Sequence, residues 1–235
     1  MENQNEYKES FLLEGELIDF KGELRLSSLF RLFQNVALKH VNILYDEDKI
    51  VNELKLHWVV ARYHVEIYRL PEERETITLF THPSPIRVFF FPRHFLVKDE
   101  KGEIIIKAGS IWALVDEKTR QMVRPVDVNF PDVGYLSGEE ASFPLSYRAK
   151  EDEQKEIMKA VYSLCDRNGH LNNCSYIDVA MDKIPLSYLK THSPKTVDIQ
   201  YKKEILLSEE LSLSAHEEND EWDFQNERFS LGIKF

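Results

Sequence analysis

One short segment, VYSLCDRNGHLNNCSYIDVAMDKIP, concentrates carboxylate, amide, imidazole and thiol groups between two apolar stretches. Asp166, Asn168 and His170 stand at every second position, so in an extended chain their side chains point to one side. Cys165 and Cys174 flank them. These residue types allow four interpretations: a metal site, a cysteine nucleophile, an acid–base site, or the capped start of a helix without chemistry.

The metal and nucleophile interpretations depend on the two cysteines, and both are weak. The spacing Cys-x4-His-x3-Cys is not a common zinc signature, and a structural zinc site needs a fourth ligand. Asp166 is one candidate for the fourth ligand, and His192 is the nearest further histidine in the sequence. A nucleophilic cysteine needs a base such as His170. However, Cys174 falls on an apolar helical stripe and Cys165 is out of phase with His170. We therefore expect neither a metal nor a cofactor.

The acid–base site and the capped helix start both stay open on the residues alone. In a capped start, Asp166 and the asparagines bond only to turn amides. In an acid–base site, His170 and a carboxylate activate water, while backbone N–H groups at the start of a helix stabilise an oxyanion. The helix itself, NNCSYIDVAMDKIP, is expected to be capped by Asn172 or Asn173 and stopped by Pro185.

The elements around this segment form a helix-plus-sheet unit that occurs twice. SSLFRLFQNVALKHVNIL has apolar residues at helical spacing, and stretches rich in β-branched and aromatic residues follow it. Residues 65–79 align with residues 199–213 without a gap. We predict an α+β protein with an N-terminal unit over 1–127, a linker over 128–155 and a C-terminal unit over 156–235.

Composition and charge limit the classes of partner. The formal net charge of −11 disfavours nucleic acid and anionic membranes as main partners. Two cysteines do not make a secreted disulfide framework, and the polar start MENQNEYKES has no signal-peptide core. No apolar run approaches the roughly 18 residues of a membrane span. The expected location is the cytoplasm.

The motif segment resembles the signature of the acyl-acyl-carrier-protein thioesterases, a tandem hotdog family of bacteria and plants. The family pattern is Asp-x-Asn-x-His-x-Asn-Asn-x-x-Tyr, which this chain matches throughout from Asp166 to Tyr176. WVVARYHVEIYRLP and GSIWALVDEKTRQMVRP resemble the family's first unit, so the resemblance spans nearly the whole chain. It implies a double hotdog, in which two antiparallel sheets each wrap around a central helix. The acyl chain is then expected in the first unit and the chemistry on the second.

The resemblance also implies a set of site residues. The family set is the Asp, Asn and His of the motif, here Asp166, Asn168 and His170, with a glutamate 34 residues after the histidine, here Glu204. The next residue is a cysteine in plant enzymes but Ile205 here, which excludes that cysteine as a nucleophile. The family places the glutamate on a strand, and strand alternation would then turn it away from the apolar face.

Hydrolysis of a fatty acyl thioester of acyl carrier protein is the reaction that the resemblance implies. We expect His170 and Glu204 to bind and deprotonate a water molecule. Asn168 is expected to orient that water or Glu204, and Asp166 to hold His170 or the loop. A thioesterase acting on acyl-coenzyme A, a non-catalytic acyl-binding hotdog and a zinc-binding module are the alternatives.

Oxyanion binding and carrier docking complete the expected site. Backbone N–H groups at Asn172, Asn173 and Cys174 are expected to stabilise the tetrahedral oxyanion. The carrier is acidic, so docking should use basic residues. A homodimer is also compatible with the sequence. The basic residues chosen for docking are Arg87, Arg93, Lys202 and Lys203.

Two residues depart from the family pattern. Arg74 stands in LPEERE where the family tends to have glycine, which leaves the loop shape open. In FPRHF, His94 stands where an aspartate commonly follows the arginine.

Overall fold

The computed structural model describes residues 5–45, 50, 53–153 and 155–235. In its first half the elements are β1 Tyr7–Leu12, α1 Leu26–Leu44, β2 Leu56–Ile67, β3 Thr76–Pro83, β4 Phe90–Lys98, β5 Ile104–Asp116 and β6 Met122–Val123. The second half contains β7 Lys155–Lys159, α2 Ser175–Met181, α3 Leu186–Leu189, β8 Thr196–Tyr201, β9 Glu210–Glu218, β10 Glu221–Gln225 and β11 Phe229–Lys234.

The strands form one antiparallel sheet in the order β1-β3-β4-β5-β2-β8-β11-β10-β9-β7, with β6 added beside β5. The two halves of the sheet join where β2 pairs with β8, from Arg62 opposite Gln200 to Glu66 opposite Thr196. The predicted double hotdog is therefore confirmed, and its two predicted sheets are continuous through this pair. Within the described residues, no helix has the length and apolar character to cross a membrane.

Helix α1 packs its apolar face against the first half of the sheet. Leu29, Phe33 and Val36 are fully buried, and the Phe33 ring centroid lies 4.7 Å from that of Phe95 on β4. Burial of each such side chain contributes roughly 1.5–3 kcal/mol. The predicted apolar stripe of α1 is thus part of the core.

Helix α2 is shorter than predicted. It begins at Ser175 and ends at Met181, so Pro185 does not stop it but stands at the N-cap of α3. A proline is tolerated there because the first amides of a helix have no intrahelical acceptor. Cys174 and Ile177 are buried in the core, as their spacing predicts.

The two units repeat at the level of single hydrogen bonds. β2 ends at Ile67 and β8 at Tyr201, while β3 begins at Thr76 and β9 at Glu210. Both pairs are the same number of residues apart, and this is the offset that aligns residues 65–79 with residues 199–213. The turns that follow β2 and β8 also match. Arg74 N–H donates to Leu13 O at 2.7 Å, and its counterpart Ser208 donates to Ala160 O at 2.8 Å. The predicted internal alignment is therefore confirmed, whereas the exact boundaries of the units stay a prediction.

Arg74 occupies the backbone conformation that glycine would adopt in this turn. Its φ is +70°, as is that of Ser208, and a left-handed conformation costs a residue with a Cβ about 1–2 kcal/mol. We expect Arg74→Gly to raise the free energy of unfolding by about 0.5–1 kcal/mol, because glycine removes this strain but loses more chain entropy. Urea unfolding measures the change.

The neighbouring Glu73→Gly is the matched control, because Glu73 is exposed but has no positive φ. It should lower the free energy of unfolding by roughly 0.5–1 kcal/mol. Equal losses from both substitutions would show that the turn is not strained at Arg74.

Candidate active site

The predicted motif folds into a tight turn that its own aspartate closes. Asp166 N–H donates to His170 O at 2.8 Å, and Gly169 N–H donates to Asp166 O at 3.0 Å. Asp166 Oδ1 accepts the N–H groups of Asn168 at 2.8 Å and His170 at 3.2 Å. Gly169 has φ +75°, which a glycine adopts without strain. The turn leaves Asn168 exposed and the His170 imidazole about a quarter exposed, at 26%.

Glu204 reaches this turn from a loop, because β8 ends at Tyr201. Leu171 N–H donates to Ile205 O at 2.8 Å, and Leu207 N–H donates to Gly169 O at 2.9 Å, so the loop lies along the motif turn. Glu204 Oε2 is consequently 3.7 Å from His170 Nε2. The expectation from strand alternation is wrong, because the strand has ended before Glu204.

The structure brings Arg120 of the first unit to the same carboxylate. Arg120 Nη2 forms an ion pair with Glu204 Oε2, although 84 residues separate them. Arg120 lies in the turn between β5 and β6 with φ +59°. Asp116 shapes this turn by accepting the N–H groups of Lys118 at 3.1 Å and Thr119 at 2.7 Å. The stretch that holds Arg120 resembles the family, but no local signal pairs it with Glu204.

Arg228, which directly precedes β11, supports the Glu204 loop. Nothing in the sequence indicates this role. Its Nη1 donates to the backbone oxygen of Glu204 at 3.0 Å, and its Nη2 pairs with the Glu209 carboxylate. Glu209 Oε2 in turn accepts the N–H of Leu206 at 2.9 Å. These contacts fix the backbone on which Glu204 is presented.

The first unit repeats the motif turn with different side chains. Asp19 Oδ1 accepts the N–H groups of Lys21 at 2.8 Å and Glu23 at 3.1 Å, as Asp166 does in the second unit. Lys21 and Glu23 therefore stand where the second unit has Asn168 and His170. They form a 2.8 Å ion pair, and Lys21 Nζ donates to Ser193 Oγ at 2.7 Å.

The position that corresponds to Glu204 in the first unit is Leu70, which is buried. The complete acid, amide and imidazole set thus occurs in the second unit of the repeat. Because Asp19 shapes a turn that carries no histidine, we infer that Asp166 acts on the loop backbone and not on the imidazole.

Asparagine at position 166 should therefore preserve most of the turnover. Asn keeps an Oδ1 acceptor and supports the same turn, so Asp166→Asn should retain turnover within about threefold, whereas Asp166→Ala should lose about tenfold. Steady-state kinetics on an acyl thioester substrate measures both. Asp19→Ala is the matched control and should change stability but not kcat. Equal losses for Asp166→Asn and Asp166→Ala would show that the negative charge itself is used.

The predicted oxyanion donors are mostly occupied. Asn172 N–H donates to Leu164 O at 2.9 Å, and Cys174 N–H donates to Asn172 Oδ1 at 2.9 Å. The prediction is therefore wrong for these two amides, which the local fold already satisfies. Asn173 N–H has no acceptor within the described part of the chain, and it stays a predicted donor.

Both cysteines lack the properties of a nucleophile. Burial raises the pKa of the Cys174 thiol to about 12. Burial and, to a lesser extent, the Asp166 carboxylate raise the pKa of the Cys165 thiol as well. A nucleophilic cysteine needs the opposite shift. Residues 5–45, 50, 53–153 and 155–235 contain no group of three or more His, Cys, Asp or Glu side chains that could hold a metal ion.

Arg93 is not a docking residue. It is buried, and its Nη1 donates to His40 Nδ1 at 3.0 Å and to Thr81 Oγ1 at 3.1 Å. Burial lowers its pKa to about 10. The next residue, His94, is also buried, and burial lowers its pKa to about 4. These two residues belong to the polar interior of the first unit.

The other three predicted docking residues are exposed and stay predictions. The Arg87 guanidinium lies 4.2 Å from the centroid of the Phe143 ring. Lys202 Nζ donates to Asn226 O at 3.3 Å and Phe229 O at 3.4 Å, and burial lowers its pKa. Lys203 follows it on the loop that leads to Glu204.

An apolar cleft lies in the first unit between the C-terminal half of α1 and the sheet. About 480 Å³ of it is empty, partly open to solvent, but only about 30 Å³ has room for the centre of a water molecule. The cleft is therefore narrow. Its apolar lining includes Leu38, Val41, Tyr45, Trp58, Phe91 and Trp112.

Fold and site together define a double hotdog protein whose paired His170 and Glu204 side chains lie in its second unit. Sequence models of the acyl-ACP thioesterase N-terminal and C-terminal domains match residues 4–129 and 147–232. The chain therefore belongs to the acyl-ACP thioesterase family.

Curated plant proteins are similar in sequence. Oleoyl-acyl carrier protein thioesterase 2, chloroplastic, of Arabidopsis thaliana is 28% identical over 223 residues, which cover 87% of this chain and 61% of the relative. Dodecanoyl-[acyl-carrier-protein] hydrolase, chloroplastic, of Umbellularia californica is 27% identical over 192 residues, or 73% of this chain and 49% of the relative. The chain thus spans about half to three fifths of the length of these two relatives.

Solved structures share the fold over nearly the whole chain. An acyl-ACP thioesterase from Bacteroides thetaiotaomicron superposes with a TM-score of 0.86 at 24% identity, covering 98% of this chain and 97% of that one. The 12:0-ACP thioesterase from Umbellularia californica gives 0.80 at 19% identity, covering 100% and 98%. At these identities the likeness concerns the fold, and it supports the double hotdog.

Proposed function

We propose that this protein hydrolyses fatty acyl thioesters of acyl carrier protein to the free fatty acid and the carrier thiol. The observation that carries the proposal is the pair His170 Nε2 and Glu204 Oε2, 3.7 Å apart and both partly open to solvent. That distance is longer than a direct hydrogen bond, so one water beside both atoms can bond to each. Membership of the acyl-ACP thioesterase family supports this reaction class.

The chemistry requires an activated water and a place for the oxyanion. His170 and Glu204 hold the water, Glu204 takes its proton, and the water oxygen attacks the thioester carbonyl carbon. The exposed Asn168 amide and the Asn173 N–H are the proposed donors to the tetrahedral oxyanion. The intermediate collapses by breaking the C–S bond, and the leaving thiolate receives the proton. No cysteine takes part as a nucleophile, because Ile205 follows Glu204 and both thiols have raised pKa values.

The narrow cleft of the first unit is the proposed site for the acyl chain. Its lining is mostly aliphatic and aromatic, with Ser84, Arg93 and Asp132 as the polar members, and such a lining suits an extended hydrocarbon chain. The names of the two plant relatives specify oleoyl and dodecanoyl substrates, so chain length differs among similar proteins.

A turnover screen on carrier-bound acyl thioesters of several chain lengths tests the proposal, with the same acyl groups on coenzyme A in parallel. We expect a higher kcat/KM on the carrier thioesters. A preference for coenzyme A would favour the alternative thioesterase activity. Binding without turnover on either carrier would favour the acyl-binding alternative.

A further inference from the structure

Four large apolar side chains lie exposed around the motif turn, and we call them the apolar collar. They come from two segments, one before the motif turn and one after Glu204. Tyr162 is the most exposed, at 88%. The collar consists of Val161, Tyr162, Leu206 and Leu207.

Backbone hydrogen bonds hold the two segments of the collar against the turn that carries His170. Leu207 N–H donates to Gly169 O at 2.9 Å, and Leu206 forms a β-bridge with His170. Ser208 N–H donates to Ala160 O at 2.8 Å, which brings the second segment beside the start of the first. The collar therefore borders the proposed catalytic pair.

The first unit repeats the backbone hydrogen bonds of these segments, but glutamate or glycine stands at the corresponding places. Glu73 N–H donates to Gly22 O at 2.8 Å, as Leu207 does to Gly169, and Leu17 N–H donates to Glu14 O as Leu164 does to Val161. The fold thus does not require apolar side chains at these positions. The counterparts of the four collar residues are Glu14, Gly15, Glu72 and Glu73.

The charges beside the collar also differ between the two units. Arg167 in the second unit replaces the exposed Phe20 of the first. Lys203 replaces Arg69, whose guanidinium is neutralised by Glu75 at 2.9 Å and Asp99 at 3.2 Å. Arg167 and Lys203 are exposed, and neither forms an ion pair with any residue that the structure describes. The unit with the histidine therefore adds apolar surface and two unpaired cations.

We propose that the collar, with Arg167 and Lys203 at its rim, docks the acidic carrier protein that delivers the acyl thioester. This inference rests on the proposed function. A carrier that brings its thioester to His170 must dock where its prosthetic arm can reach that residue, and the collar is exposed surface that borders His170. The chain has a net charge of −11, so an acidic carrier is repelled at long range and needs short-range apolar contacts with local cations.

Two double variants test the docking surface. Leu206→Gln with Leu207→Gln removes apolar surface without adding charge, and Leu206→Glu with Leu207→Glu installs the residues of the first unit, which the same backbone accepts. We expect kcat/KM on the carrier thioester to fall about fivefold for the Gln pair and further for the Glu pair, mainly through KM. On the coenzyme A thioester of the same acyl group, the Gln pair should stay within about twofold of the unsubstituted protein.

Leu12→Gln is the matched control, because Leu12 is 52% exposed on β1 at the far edge of the sheet. It should leave kcat/KM unchanged on both substrates. Equal losses on both substrates, or none on the carrier thioester, would overturn the inference. So would a change from dimer to monomer in sedimentation with an unchanged KM for the carrier thioester, since the collar would then join two copies of this chain. If the unsubstituted protein turns over no carrier thioester, the proposed function fails instead.

Discussion

Replacing His170 with alanine should lower kcat on an acyl carrier thioester by at least about hundredfold, the scale expected of an acid–base residue. Glu204→Gln should have an effect of similar size, because the amide cannot accept the proton of the water. Both side chains are partly exposed and outside the core, so the variants should fold. Single-turnover kinetics measures the rate, and far-UV circular dichroism shows whether the variants are folded.

The pair His216 and Asp152 provides a matched control. Their side chains are 3.8 Å apart and His216 is 28% exposed, close to the values for His170 and Glu204, but His216 lies on β9 and neither residue belongs to the motif turn. His216→Ala should keep full turnover. A folded His170→Ala variant with near-normal rates would refute the catalytic assignment, and so would an equal loss in His216→Ala.

Arg120→Ala should lower kcat about tenfold while KM changes little. Without Arg120 the Glu204 carboxylate is less well positioned, and a displacement of up to about one ångström lowers the rate by up to about hundredfold. Arg120 contacts Glu204 and reaches it from the other unit, so we assign it a positioning role. The ion pair is about half exposed, so the free energy of unfolding should change by less than about 1 kcal/mol. Arg120→Lys retains the charge and should recover part of the rate.

Arg124→Ala is the matched control, because Arg124 forms an exposed ion pair with Asp127 in the same part of the chain, at 2.7 Å. It should not change kcat. In a Glu204→Gln background, Arg120→Ala should have no further effect, since the partner it positions is gone. A rise in KM with unchanged kcat would show instead that Arg120 binds the substrate.

The motif turn could be predicted from the sequence because its contacts are local. An aspartate that accepts amides two and four residues later, with a glycine at the left-handed position, closes the same turn in both units. The types of Asp166, Asn168 and His170 therefore carried most of the prediction. The expected strand position of Glu204 was wrong, because β8 ends at Tyr201, and only the family spacing selected this residue.

Arg93 shows what residue type alone does not reveal. An arginine is usually exposed, and nothing near it in the sequence announces that His40 on α1 and Thr81 on β3 will accept its hydrogen bonds. Its burial follows from the way the helix and two strands pack together.

The sequence by itself determined the turn, the repeat and the chemical groups available, because these depend on residue type and on contacts a few residues apart. The tertiary structure decided which groups meet. Arg120 reaches Glu204 across 84 residues because β2 pairs with β8 and joins the two units in one sheet. It also decided that the apolar collar lies beside His170. That arrangement depends on strand pairing between distant segments, which no local pattern encodes.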